Sequence, residues 1–343
     1  MPTSNTCVKT GQGSVAMQPL PYPDTPGPGQ AVIKTTLTTI CGSDIHIVDH
    51  MPVPPGLPMG HEALGVVEAL GEGVTAVRPA DRVVVSCFQS CGTCKNCQEG
   101  DLQLCLTFRP SNLVFGGQGE YFLINGAQVS MAKIPDTLED EQVIFATDIM
   151  STGFAAIERA EIKPGDTVAI FAQGPVGLCA TAAARTYGAG LIIGVESIPE
   201  RVARAKRLGP DVVVDPKDAV AESMRLTGGI GGDVTVEALG AQVTFENACL
   251  AVRSGGTVSS VGVYSEYSEL KLPTGGAFMH RKLITTLCPV GTARLERMMA
   301  LVATNKVDLR PLLTHNMKIS ETPAGYDLFR KRDGGVLKIG LRP

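Results

Sequence analysis

The chain carries no excess of positive charge, no long apolar run, no repeat and no low-complexity tract. Its 30 Lys and Arg stand against 34 Asp and Glu, a formal charge of -4, and no basic cluster interrupts that balance. Nucleic acid and anionic membrane surfaces are therefore poor partners for it. The longest uncharged stretch, Thr167 to Ala184, is broken by Gln173, Gly174, Pro175 and Gly177. That pattern argues against a membrane span and for a buried strand followed by a buried helix. The first residues, MPTSNTCVKTGQG, hold no apolar segment of the kind a secretion signal needs, so a soluble cytoplasmic protein is expected. Charged residues make up only 19% and hydrophobic ones 44%, which excludes a disordered chain. With 343 residues, two domains are expected.

The pattern changes near residue 150. Before it, short β-like runs (Ala31–Thr39, Gly65–Leu70, Arg82–Ser86) alternate with Pro- and Gly-rich connections, which predicts an irregular, mostly β domain. From Asp166 onward, apolar runs at 167–171, 191–196, 211–215, 233–237 and 256–261 alternate with helical stretches at 176–187, 198–208, 219–226 and 242–252. Strict alternation predicts a parallel sheet with right-handed crossovers. Ser197 and Glu200 read as a capping box and Gly209 as a helix stop. After about Cys288 the pattern loosens into one amphipathic helix, 293–304, and a β-like tail ending in 336–341 that is expected to return to the first domain.

Ten cysteines are present. Cys7, Cys87, Cys179, Cys249 and Cys288 are scattered and read as small buried hydrophobes. Cys91, Cys94, Cys97 and Cys105 form C-x2-C-x2-C-x7-C, with Gly92 and Gly100 to bend the loop. Four soft ligands closely spaced fit a closed tetrahedral zinc site in a lobe at about 87–106. An iron–sulfur run of the bacterial ferredoxin type would instead close with C-x3-C-P. Cys41 and His61 suggest a second, open site: a thiolate and an imidazole twenty residues apart, in a chain with only five histidines. A catalytic zinc takes three protein ligands and leaves one position open; spacing alone does not identify the third. His50, His280 and His315 stand in no constellation.

The strand at 167–171 runs into Ala172-Gln173-Gly174-Pro175-Val176-Gly177, similar to the G-x-G-x-x-G dinucleotide turn with alanine at the first glycine. Gly174 lets the backbone approach a pyrophosphate at the positive end of the following helix, and Gly177 allows helix and strand to pack closely. Glu196, 19 residues after Gly177, ends the next strand where an acid accepts hydrogen bonds from the adenosine ribose. A carboxylate there repels a 2′-phosphate and favours NAD over NADP, although Arg201 nearby is a cation that tolerates phosphate.

CGSDIH at 41–46, GHE at 60–62, the cysteine quartet and the nucleotide turn occur in that order, and together they resemble the zinc-dependent medium-chain dehydrogenase/reductase family. Asp148-Ile149-Met150-Ser151-Thr152-Gly153-Phe154 and Leu287-Cys288-Pro289-Val290-Gly291 are most similar to bacterial secondary-alcohol dehydrogenases. The resemblance implies an α/β fold, with a Rossmann doubly wound parallel sheet at 152–288 and a mostly β GroES-like catalytic domain at 1–151 and 289–343. It implies two zinc ions per chain. The catalytic one would be held by Cys41, His61 and Asp148, with Glu62 as an exchangeable fourth ligand. It further implies Ser43 and His46 as a proton relay, and Thr152, Val261, Val263 and Leu287 beside the cofactor along with Gly174, Pro175, Val176, Gly177, Glu196 and Arg201. The expected reaction is hydride transfer between NAD(H) and a secondary alcohol or ketone, by a homo-oligomer with a tetramer favoured. Two departures stand out: Ala172 in the turn, and Glu196 and Ile198 where NADP-using relatives carry a small residue and an arginine. Phe108, Cys87 and Leu287 are pocket candidates by analogy, each equally readable as core. Polyol, amino-alcohol and formaldehyde-type dehydrogenases share these motifs, and a non-catalytic NAD-binding protein is the reading from a different class.

Overall fold

Among the described residues, 1–274 and 280–343 of this computed structural model, the first half is built from short, bent strands. They are β1 (Thr3–Gly11), β2 (Ser14–Pro21), β3 (Ala31–Thr39), β4 (Ala63–Leu70), β5 (Arg82–Val85), β6 (Tyr121–Ile124) and β7 (Met131–Lys133). The middle of the chain contributes β8 (Thr167–Phe171), β9 (Leu191–Val195), β10 (Val212–Val214), β11 (Gly232–Glu237), β12 (Val252–Ser260) and β13 (Lys282–Thr285), and the end adds β14 (Leu313–Lys318) and β15 (Lys338–Arg342). Helices of eight residues or more are α1 (Gly42–Asp49), α2 (Ile149–Arg159), α3 (Pro175–Thr186), α4 (Pro199–Leu208), α5 (Ala219–Leu226), α6 (Gln242–Ala251), α7 (Thr292–Ala303) and α8 (Thr322–Lys331).

The chain divides into two units, Met1–Ser151 with Cys288–Pro343, and Thr152–Leu287. In the first, β14-β15-β3-β4-β5-β7 form one sheet, β6 pairs with β3, and β1 and β2 make a hairpin. The C-terminal strand enters this sheet antiparallel to β3 through Gly340–Thr39 and Leu341–Thr38. Alternating side chains divide the apolar interior in two. Ile33, Val67, Val83 and Phe122 pack in one cluster, while Ile40, Met59, Tyr326 and Ile339 pack in another.

The second unit is a six-stranded sheet in the order β10-β9-β8-β11-β12-β13, parallel throughout. TVAIF and LIIGV are continuous apolar runs because both faces of such a sheet are covered. Strand order reverses between β8 and β11, so the crevice at the carboxyl ends of these two strands is where a doubly wound fold takes its dinucleotide.

The alternation read from the sequence holds here, with three differences. The Ser197–Glu200 capping box does not form, because Glu196 Oε1 already accepts the amides of Ser197 and Ile198 at 2.9 and 3.0 Å. Ile198 becomes the N-cap and Pro199 starts the helix. The run at 256–261 starts earlier, at Val252, directly after α6. The β-like tail also contains α8, which Pro323 and Gly325 conceal in the sequence. Pro323 sits in the first turn, where its missing N–H costs nothing, and Gly325 lets the helix lie against Ile40. No described helix is long and apolar enough to cross a membrane.

Candidate metal centres and dinucleotide crevice

Cys41 is the residue on which α1 starts, His61 lies at the end of the β3–β4 connection, two residues before β4, and Asp148 precedes α2. Three distant segments thus bring one sulfur, one ring nitrogen and one carboxylate oxygen within 4.8 Å of one another. Asp148 Oδ2 lies 3.4 Å from His61 Nε2 and 3.6 Å from Cys41 Sγ. A tetrahedral zinc bonded to such donors at its usual distances holds them about 3.3–3.8 Å apart, so the set fits that ion.

The support around this trio is buried and polar. Asp44 Oδ1 lies 2.9 Å from His61 Nδ1. Its other oxygen accepts the Cys41 amide at 2.9 Å and Gln118 Nε2 at 3.1 Å. Gln118 in turn accepts the Tyr326 hydroxyl at 2.9 Å. Gly60 makes this possible: its φ is +94°, and a Cβ there would meet Gln118 at 2.5 Å. Burial opposes a charge on His61, yet Asp44, Asp148 and Cys41 together raise its pKa well above the usual histidine range. Burial and the nearby Glu62 carboxylate push the Cys41 thiol up, against the pull of Lys338.

Glu62 departs from its expected place. Its carboxylate is outside the trio, held by Lys338 Nζ and by the Thr39 hydroxyl. Glu62 is 2% and Lys338 1% exposed, and the ammonium also donates to Ile40 O at 3.3 Å. In this arrangement Glu62 is the partner of Lys338, and its carboxylate is not among the three converging donors. Ser43 Oγ lies 3.9 Å from Cys41 Sγ, and His46 follows it at i+3 on α1, on the same helix face.

The four sulfurs of Cys91, Cys94, Cys97 and Cys105 lie within 4.8 Å of one another, with Cys94 and Cys97 3.4 Å apart and Cys91 and Cys97 4.0 Å apart. The amides of Thr93, Cys94 and Leu106 point at Cys91 and Cys94 sulfurs from 3.3–3.4 Å. Burial raises the Cys91 thiol, but bonds from Thr107, Thr93 and the Cys94 amide outweigh it and bring it down to about 5. Burial and its neighbouring thiols push Cys97 up to about 12. A thiolate cage needs a cation to be stable, and this donor set fits a structural zinc.

In the second unit, β8 leads through Ala172 into α3. Ala172 adopts φ +75°, so the turn keeps the left-handed backbone of the glycine it replaces. Gly177 is indispensable to the packing, because a Cβ there would lie 1.9 Å from Ala172 O. Gly174 caps α3 and Pro175 opens it, with Val176 and Gly177 in its first turn. Glu196 sits just past β9, 8% exposed, and its Oε2 accepts the Gln173 amide at 3.2 Å. Arg201 reaches back from α4, and its Nη1 is 3.5 Å from the point where a Gly174 Cβ would stand. Val261, Val263 and Leu287 lie past the carboxyl ends of β12 and β13, the first buried and the others half exposed. Thr152 is buried on α2, whose Gly153 packs against Cys179 of α3.

The family model described as an alcohol dehydrogenase GroES-like domain matches residues 27–136, and the one described as a zinc-binding dehydrogenase matches 175–304. An alcohol dehydrogenase of Cupriavidus necator is 41% identical, over 96% of both chains. The chain belongs to the zinc-dependent medium-chain alcohol dehydrogenase family. A protein of Thermoanaerobacter brockii named NADP-dependent isopropanol dehydrogenase is 36% identical over 84% of this chain and 86% of that one. The solved alcohol dehydrogenase of Thermus sp. ATN1 superposes with a TM-score of 0.91 at 32% identity, covering 98% of this chain and 99% of that one. As a member of the family the chain is a zinc-dependent oxidoreductase of alcohols and ketones.

Sequence reasoning missed Asp44, Gln118 and Lys338. Asp44 had a local signal, since an acid three residues past a helix start binds back to it. Gln118 and Lys338 had none, because their roles come from contacts 74 and 276 residues away in the chain.

Proposed function

We propose that this is an NAD-dependent dehydrogenase of secondary alcohols whose catalytic zinc is held by Cys41, His61 and Asp148. The convergence of those three donors, with Asp44 fixing the imidazole from behind, is the observation that carries the reading. A bound zinc supplies Lewis-acid polarisation of the substrate hydroxyl, lowering its pKa toward neutrality, and the nicotinamide supplies the hydride acceptor. Ser43 accepts the substrate hydroxyl proton. His46, one helical turn on, carries that proton outward, the role an imidazole suits in a relay. Lys338 holds Glu62 away from the donor trio. Cys91, Cys94, Cys97 and Cys105 hold a second zinc that orders their lobe.

Glu196 supports NAD. It has three backbone amides on its carboxylate and acceptor capacity left for a ribose hydroxyl, and its charge disfavours a 2′-phosphate. Arg201 leans over Gly174, the pyrophosphate end of the turn, where its charge aids either dinucleotide. The protein works in the cytoplasm as a homo-oligomer, a tetramer by its resemblance. The test is nucleotide reduction with 2-butanol, 1-butanol and sorbitol, using NAD and NADP in parallel. Fast turnover of 2-butanol with NAD is expected, and Glu196→Ala should cut the NAD over NADP preference in kcat/KM roughly 10- to 100-fold, the worth of a hydrogen bond to a charged group. A preference for NADP in the unaltered protein would overturn the cofactor reading, and turnover of sorbitol alone would move the substrate to polyols.

A further inference from the structure

Asp148 faces donors on two sides. Its Oδ2 is directed at His61 and Cys41, as described above, while Oδ1 lies 3.8 Å from the Cys87 sulfur. Cys288 Sγ approaches the same residue, 3.5 Å from the Asp148 carbonyl oxygen. One carboxylate oxygen of Asp148 and the two sulfurs all lie within 4.8 Å of one another. Both cysteines are nearly inaccessible, at 1% and 3% exposure.

A cysteine that merely fills space buries its sulfur among carbon atoms. These two pack with Val290, Phe88 and Leu102, yet each sulfur also faces an oxygen of Asp148. The Cys87 sulfur faces the Asp148 carboxylate, and the Cys288 sulfur, also 3.5 Å from Pro289 O, lies beside both. The backbone holds them there from independent directions, since the Cys87 amide donates to Thr147 O at 3.0 Å and the Cys87 carbonyl accepts the Val114 amide at 2.8 Å. Cys288 arrives from a segment some 200 residues later in the chain. Two sulfurs and an oxygen within 4.8 Å of one another are a donor set suited to a soft or borderline divalent cation.

We propose that Cys87, Cys288 and Asp148 Oδ1 form a further metal position, selective for thiophilic divalent ions of the zinc and cadmium type and adjacent to the Cys41–His61 pair. Binding forms two metal–sulfur bonds and one metal–oxygen bond and releases the two thiol protons to solvent; nothing is oxidised or reduced. Hard cations such as magnesium are excluded, because they gain little from sulfur. The geometry of these residues carries the proposal independently of the zinc reading of Cys41 and His61.

The test is equilibrium dialysis of the full-length protein, as isolated with its zinc, against micromolar cadmium. Total zinc plus cadmium per chain is counted by mass spectrometry, and the ultraviolet band of cadmium thiolate is recorded on the same samples. The unaltered protein should hold one ion more per chain than Cys87→Ser/Cys288→Ser, with a stronger thiolate band, and magnesium should not compete. Cys87→Ala alone, a smaller perturbation, should lose the same ion. Equal ion counts and equal thiolate bands in the unaltered and double-variant proteins would overturn the proposal, as would cadmium uptake matched one for one by zinc release in both.

Discussion

Replacing Lys338 with methionine removes the ammonium and keeps the apolar stem, so it isolates the charge of a pair that is 1% and 2% exposed. Glu62 would then keep only the Thr39 hydroxyl as a partner for its bound oxygen. Removing one member of a buried ion pair costs about 3–5 kcal/mol, because the remaining charge has lost its compensation and cannot reach water. Each kcal/mol corresponds to roughly 2–4 °C in a unit of this size, so Lys338→Met should lower the unfolding midpoint of the first unit by roughly 6–20 °C. Scanning calorimetry and urea unfolding, on samples matched for zinc content, measure this. The decisive control is Lys338→Met/Glu62→Leu, which removes both charges and should recover most of the loss. A single variant within about 1 kcal/mol of the unaltered protein would refute the argument, as would a double variant no better than the single.

Two further substitutions probe other links. Ala172→Gly should stabilise the second unit by about 0.5–1 kcal/mol in urea unfolding, since the left-handed penalty of alanine at φ +75° exceeds the extra chain entropy of glycine; a loss of stability would contradict that account of the turn. Asp44→Asn should weaken zinc at the trio 10- to 100-fold in chelator competition, because the carboxylate 2.9 Å from His61 Nδ1 sets the ring's orientation and basicity. Unchanged affinity would remove Asp44 from the site.

The parts of the fold legible in the sequence are those with local causes. The parallel sheet of the second unit follows from apolar runs separated by helical stretches, and the thiolate cage follows from four cysteines within fifteen positions. Elements whose cause lies far along the chain were not legible. α8 depends on Ile40 accepting Gly325 against it, and the tail strand β15, itself legible, takes its place from a pairing with β3 that was not. The same division runs through the site. Cys41 and His61 lie in short, recognisable stretches, and Asp148 was reached through family resemblance alone. Glu62 was read from its position next to His61, but Lys338 decides where its carboxylate goes. Cys87 and Cys288, read as scattered core residues, are indeed buried, yet their sulfurs meet at Asp148. That meeting is a property of the folded chain and not of any segment.

The central claim is that Cys41, His61 and Asp148 hold the zinc on which alcohol oxidation depends. It is tested most directly by measuring zinc content and 2-butanol-dependent NADH formation on the same preparations of the unaltered protein and Cys41→Ala. The account predicts one zinc fewer per chain in the variant, a cysteine lobe that keeps its own zinc, and turnover reduced at least a hundredfold, about 2.7 kcal/mol of transition-state stabilisation. A variant that keeps both its zinc and its turnover would contradict it.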